Sequence, residues 1–119
     1  MKKILVAEDD EVQRELMRLT LERDGYLVVT AEDGVRGFEL TLSERPDLIV
    51  TDVSMPAADG VQLVRRVRSA PEVAETPILV TTGFGTGNAT YTLTQGADAY
   101  EPKPLDPEAL RESVRRLLG

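Results

Sequence analysis

Leu48-Ile49-Val50-Thr51 reads as a short strand of apolar and β-branched residues, and it runs directly into the carboxylate of Asp52. The pattern returns three times. Ile4-Leu5-Val6-Ala7 runs into Glu8-Asp9-Asp10, Ile78-Leu79-Val80-Thr81 into Thr82, and Ala99-Tyr100-Glu101-Pro102 into Lys103-Pro104. With one further apolar segment the chain carries five short strands, four of which end in a residue suited to phosphoryl chemistry. In a parallel α/β sheet the strand ends share one edge, where open sheets bind their ligands. Carboxylates, a hydroxyl and a lysine from opposite ends of the chain would meet there. Packing alone does not explain such a convergence.

The segments between the strands have helical period. Val12, Leu16 and Leu19 repeat at i, i+4, i+7, as do Leu110, Val114 and Leu117; Val35, Phe38 and Leu42 form another stripe, and Leu63, Val64 and Val67 a fourth. Asp24-Gly25, Asp33-Gly34 and Asp59-Gly60 punctuate the sequence, and Asp106-Pro107 is a helix start with a side-chain cap and a first-turn proline. Gly119 stands where a helix-terminating glycine belongs, and the expected organisation is a single domain over residues 1–119. The unit is βα repeated five times, without internal sequence repeats or a low-complexity linker. Strands with continuous apolar runs are buried on both faces, so helices should cover both sides of a parallel sheet joined by right-handed crossovers. The weakest predicted element is the fourth helix, around Asn88 to Gln95. Thr90, Thr92 and Thr94 are β-branched, and Gly83, Gly85 and Gly87 precede them. The segment 83–95 is therefore expected to be the softest.

Composition removes several classes of function. A length of 119 residues suits one domain with a real core. The formal net charge of −7 disfavours binding to a nucleic-acid backbone and favours cations and basic protein partners. Without cysteine there are no disulfides, thiol catalysis or Cys-based metal sites, and without histidine no zinc-hydrolase or Ser-His arrangement. Met1-Lys2-Lys3 is followed by too few apolar residues for a signal-peptide core, and no apolar run approaches membrane-spanning length. The expected setting is cytoplasmic.

Three carboxylates, Glu8, Asp9 and Asp52, repel one another unless a cation joins them, and oxygen-only ligands select a hard ion. Mg²⁺ needs few protein ligands and leaves room for a phosphoryl oxygen. The acidic pair by itself fits helix capping as well as metal binding, with Asp9 or Asp10 as the cap. A carboxylate such as that of Asp52 can attack phosphorus to give an acyl phosphate. That chemistry needs charge neutralised on the peripheral oxygens, which Lys103 supplies as a cation and Thr82 as a hydroxyl donor. Singly, Thr82 fits a strand-end turn and Lys103 a surface lysine. Their joint placement at corresponding strand ends points to phosphoryl chemistry.

Ile4-Leu5-Val6-Ala7-Glu8-Asp9-Asp10, Asp47 through Asp52-Val53-Ser54-Met55-Pro56, Asp59-Gly60, Thr82 and Lys103-Pro104 together resemble the receiver domain of bacterial two-component response regulators, in order and over the whole chain. The resemblance implies a flavodoxin-like, doubly wound (βα)5 fold with strand order 2-1-3-4-5, a Mg²⁺ site, and phosphoryl transfer from a sensor histidine kinase or a histidine phosphotransfer protein. By that resemblance Asp52 is the phosphoacceptor. Asp9 and Asp52 are direct metal ligands with the Ser54 backbone carbonyl, and Glu8 reaches the metal through water. Lys103 pairs with one phosphoryl oxygen, Thr82 donates to another, and Tyr100 is the aromatic that moves with the threonine. The family's output face maps to the fourth helix, fifth strand and fifth helix, with Tyr91, Tyr100 and Arg111. Its partner is an attached output domain, a downstream protein target or a phosphorylation-dependent homodimer. The domain is then a signalling switch that catalyses its own phosphorylation and slow autodephosphorylation, not a metabolic enzyme.

Several positions depart from the family pattern. Glu8 is the longer acid, Gly83 stands where alanine is usual, Leu105 replaces a frequent aromatic, and the stretch from Thr82 to Lys103 is one residue short. Pro102 suits an edge strand, and the resemblance implies a cis peptide at Lys103-Pro104. The alternative reading is a haloacid-dehalogenase-like aspartyl-phosphate phosphatase. That class carries a second acid two residues after the nucleophile, where this chain has Ser54. A nucleotide-binding module would need a Gly-rich phosphate loop after the first strand, and none is present.

Overall fold

The computed structural model describes residues 1–53, 55, 59–83 and 91–119. The elements alternate as β1 (Lys3–Ala7), α1 (Glu11–Arg23), β2 (Leu27–Ala31), α2 (Gly34–Glu44), β3 (Leu48–Asp52), α3 (Gly60–Ser69), β4 (Ile78–Thr82), a helical turn at residues 91–94 (α4), β5 (Ala99–Pro102) and α5 (Pro107–Leu118). All strand pairs are parallel, and the sheet order is β2-β1-β3-β4-β5. Among the described residues no helix is long and apolar enough to cross a membrane.

Burial follows from that order. Every residue of β3 and β4 is buried, and so is β1 after Lys3. Helices cover both faces, so an inward-pointing residue exists on each side of the strand. The edge strands differ: β2 is half-buried and β5 alternates half-buried with exposed residues. Pro102 is accommodated in β5 as an edge strand allows. One core layer joins Leu5, Ala7, Ile49, Ile78 and Val80 to Leu63, Val64 and Val67 of α3. The other joins Ile4, Val6, Val50 and Leu79 to Met17 and Leu21 of α1 and Leu110 and Val114 of α5.

Four helices start alike. The side chains of Asp10, Asp33, Asp59 and Asp106 accept hydrogen bonds from the backbone N–H groups of Val12, Arg36, Gln62 and Glu108 at 2.8–3.1 Å. Each satisfies an otherwise unpaired donor of the first turn and is worth about 1 kcal/mol. Asp10, not Asp9, caps α1, which leaves the Asp9 carboxylate available.

Two apolar stripes behave differently from the rest. The α1 helix lies where the period puts it, but Val12, Leu16 and Leu19 are 67%, 59% and 50% exposed, and its buried residues are Met17 and Leu21. Arg14 helps set this rotation, because its guanidinium reaches back to donate to the Glu8 carbonyl at 2.8 Å. In α2 the deeply buried positions are the small ones, Gly34, Gly37 and Thr41, while Val35 is exposed and Phe38 and Leu42 are half-buried. A Cβ at Gly37 would lie 3.3 Å from Leu63 and 3.6 Å from Ala7, so the helix backbone rides close to the sheet and to α3. The stripes of α3 and α5 point inward, except that Leu117 is half-buried.

Candidate functional site

The C-terminal ends of β1, β3, β4 and β5 bring Glu8, Asp9, Asp52, Thr82 and Lys103 to one sheet edge. Lys103 is the centre of the arrangement. Its Nζ donates to Glu8 Oε1 at 2.9 Å and to Asp52 Oδ2 at 3.0 Å. Glu8 is fully buried and Asp52 nearly so, while Asp9 is exposed. One carboxylate oxygen from each of Glu8, Asp9 and Asp52 lies within 4.8 Å of the others.

Each group is held from its own element. The Glu8 N–H donates to the Ala31 carbonyl at 3.0 Å, which continues the β1–β2 ladder, and its other carboxylate oxygen accepts the Asp10 N–H at 3.1 Å. Asp52 stands in register with Thr81, and the following Val53 N–H donates to the Thr81 carbonyl at 3.0 Å. Lys103 is tied to β4 by its N–H donating to the Thr82 carbonyl at 2.8 Å, and its bond to Pro104 is cis. Asp59-Gly60 serves the site through packing. A Cβ at Gly60 would overlap the Asp52 carbonyl oxygen and lie 2.8 Å from Val53 Cα, so only glycine lets α3 begin against the end of β3. At Gly83 an added Cβ would make ordinary contacts of 3.8–3.9 Å with Lys103, so alanine also fits there.

Electrostatics follow from burial. Burial pushes the Glu8 carboxyl up to about 7; the Asp10 N–H and Lys103 pull it down, while Asp52 and Asp9 add to the rise. Burial would lower the Lys103 ammonium, but its bonds to Glu8 and Asp52 outweigh that and hold it above the ordinary lysine value. Lys103 bonds to Glu8 and Asp52, two of the three clustered acids. The all-oxygen donor set fits a small hard divalent ion.

A model of the response regulator receiver domain matches residues 4–115. The chain belongs to the response regulator receiver domain family. It is 42% identical over 117 residues to the response regulator MprA of Mycobacterium ulcerans (strain Agy99) and 41% identical to that of Mycobacterium avium (strain 104), covering 98% of this chain and 50% of each relative. The receiver chain thus spans about half the length of these curated relatives. Among solved structures it resembles the Vibrio cholerae chemotaxis response regulator CheY4, with a TM-score of 0.92, 32% identity and 98% of both chains covered. It also resembles the receiver domain of the sensor histidine kinase PA1611 from Pseudomonas aeruginosa, with a TM-score of 0.92 and 27% identity over 99% of this chain and 98% of that one. That structure has a magnesium ion coordinated in its active-site cleft.

As a receiver domain the chain is a phosphoacceptor module of a two-component phosphorelay, and the dehalogenase-like alternative has no support among its relatives. Of the receiver's expected site residues, Glu8, Asp9, Asp52 and Lys103 are gathered into one cluster. Thr82 is buried at the end of β4, and Tyr100 is 38% exposed on β5. Ser54 lies outside the described residues, as do residues 84–90 of the glycine- and threonine-rich segment. The Arg111 guanidinium on α5 makes a two-pronged bond to Asp24 at the end of α1, at 2.7 and 2.9 Å. Sequence reasoning missed this pin and the support from Arg14. Asp24 lies 87 residues from Arg111 in the chain, and the group that Arg14 meets is a backbone carbonyl, which no sequence pattern marks.

Proposed function

We propose that Asp52 is the phosphoacceptor of this domain and that Lys103, Thr82 and the acids Glu8 and Asp9 form its machinery. The observation that carries the reading is the Lys103 ammonium bridging Asp52 and Glu8 across β5, β3 and β1. In the transfer an Asp52 carboxylate oxygen forms a bond to phosphorus as the donor's P–N bond breaks. The electron pair returns to the imidazole nitrogen, which takes up a proton. Lys103 then pairs with a phosphoryl oxygen in place of Asp52 Oδ2, and the Thr82 hydroxyl donates to another. Asp9, Asp52 and the Ser54 carbonyl would hold Mg²⁺, with Glu8 one water removed. The ion, when bound, neutralises charge on the phosphoryl oxygens. The domain thereby catalyses its own phosphorylation.

The donor is a histidine kinase or a histidine phosphotransfer protein. The exposed apolar stripe Val12, Leu16 and Leu19 supports α1 as its seat, since that helix leads away from Glu8-Asp9-Asp10. Beside it a groove of about 270 Å³ is lined by Leu16, Met17, Thr20, Pro104, Leu105 and Leu110. Tyr100, exposed on β5, is the readout side chain that follows Thr82, and the receiver of the phosphorylated signal is an attached output domain or a separate protein target. Incubation with phosphoramidate and Mg²⁺ tests the assignment. The intact protein should gain the mass of one phosphoryl group, and Asp52→Asn, whose amide is no nucleophile, should gain none. A mutant phosphorylated like the parent refutes it.

A further inference from the structure

A polar seam crosses the apolar layer between the sheet and α5. Thr81 is fully buried, and among the described residues its hydroxyl has no hydrogen-bond partner. Its register partner on β5 is Glu101. Two residues earlier the corresponding pair, Leu79 and Ala99, packs in the layer that contains α1 and α5, so Thr81 and Glu101 face α5 as well. Neighbouring strands stand about 4.8 Å apart, so the Glu101 side chain stands beside Thr81 on the same face of the sheet. It is engaged elsewhere: buried Ser113 of α5 donates its hydroxyl to Glu101 Oε2 at 2.5 Å, and Arg116 Nη2 reaches the same Ser113 oxygen at 3.4 Å.

The seam meets the functional site at both ends. Thr81 is the register partner of Asp52, and Glu101 precedes Lys103 by two residues on a short edge strand. We propose that Glu101 is a positioning residue for Lys103, a latch with one seat on Ser113 and a second, vacant seat on Thr81. With the carboxylate on Ser113, the end of β5 is tied to α5 while a buried hydroxyl goes unsatisfied, a costly state for a polar group in an apolar layer. Moving the carboxylate to Thr81 satisfies that hydroxyl and releases α5, and the Ser113 oxygen keeps Arg116 as a donor. What tips the balance rests on the Asp52 assignment. Once Asp52 carries a phosphoryl group, Lys103 exchanges its bond to Asp52 for one to a phosphoryl oxygen, and the strand end that bears Glu101 shifts with it.

NMR on the whole chain, with Ser113→Ala, Thr81→Val and Thr81→Ser, tests the latch. Without any phosphoryl mimic, Ser113→Ala should drive the carboxylate onto Thr81 and shift the Thr81 methyl resonance; an unmoved methyl overturns the proposal. With beryllofluoride and Mg²⁺, Thr81→Val should keep the shift changes at Lys103 but lose most of those along α5, and Thr81→Ser should restore them. Full-sized α5 changes in Thr81→Val overturn the latch. A parent that does not respond to beryllofluoride refutes the Asp52 assignment instead, and the Ser113→Ala result still decides whether the second seat exists.

Discussion

Glu8 is the residue on which the site's charge balance turns. A fully buried acid beside a second buried acid is tolerable because Lys103 bonds to both, and its carboxyl is nevertheless pushed up to about 7 from the ordinary 4.5. The folded state therefore holds the Glu8 proton more tightly than the unfolded chain does. The stabilisation this gives is fully present below pH 4.5 and is lost as pH rises through 7. In chelator-treated protein, Glu8→Gln should gain stability over the parent between pH 5 and pH 8, by on the order of 2 kcal/mol. Urea titrations at the two pH values measure it, and parallel pH profiles for parent and mutant would show that Glu8 titrates normally. The convergence of Glu8, Asp9, Asp52 and Lys103 was legible in the sequence because each follows an apolar strand. Their distances were not. A sequence gives the edge of the sheet but not which lysine rotamer spans two acids.

Among the elements, strand identity was readable from continuous apolar runs, and right-handed crossovers limited the topologies, but the strand order came from the family resemblance. Helix orientation was less readable. In α1 the period alone cannot distinguish a stripe that faces the core from one that faces a partner, and Met17, Leu21 and Arg14 determine the inward side. The exposed stripe yields a prediction. Leu16→Glu should leave stability within about 0.5 kcal/mol of the parent, as expected for an exposed position. It should slow phosphorylation by a histidine kinase while sparing phosphorylation by phosphoramidate, which has no protein surface to dock. Equal slowing with both donors would move the docking face off α1. Asp59-Gly60 was visible as a helix start, but the reason for glycine was not, since the clash is with the backbone of β3. Gly60→Ala should destabilise the domain by on the order of 3 kcal/mol, read from its denaturant midpoint. A midpoint unchanged from the parent would mean the α3–β3 junction is loose.

Across the whole molecule, a net charge of −7 and the cluster of Glu8, Asp9 and Asp52 favour binding of a hard cation at the folded site. Mg²⁺ that binds the folded site and not the unfolded chain stabilises by linkage, about 2.7 kcal/mol at one hundred times its dissociation constant. Asp9→Ala should abolish most of the Mg²⁺-dependent rise in Tm, and Glu8→Ala less of it. An undiminished rise in Asp9→Ala would locate the ion away from the cluster. The acyl phosphate itself offers the most direct test of the account. Borohydride reduces an aspartyl phosphate to homoserine, so treating the phosphorylated domain and sequencing its peptides by mass spectrometry reads the modified position. Homoserine should appear at position 52 alone, and only when Mg²⁺ was present during phosphorylation. Homoserine at position 9 or 10, or phosphate on a hydroxyl that borohydride leaves untouched, would contradict it.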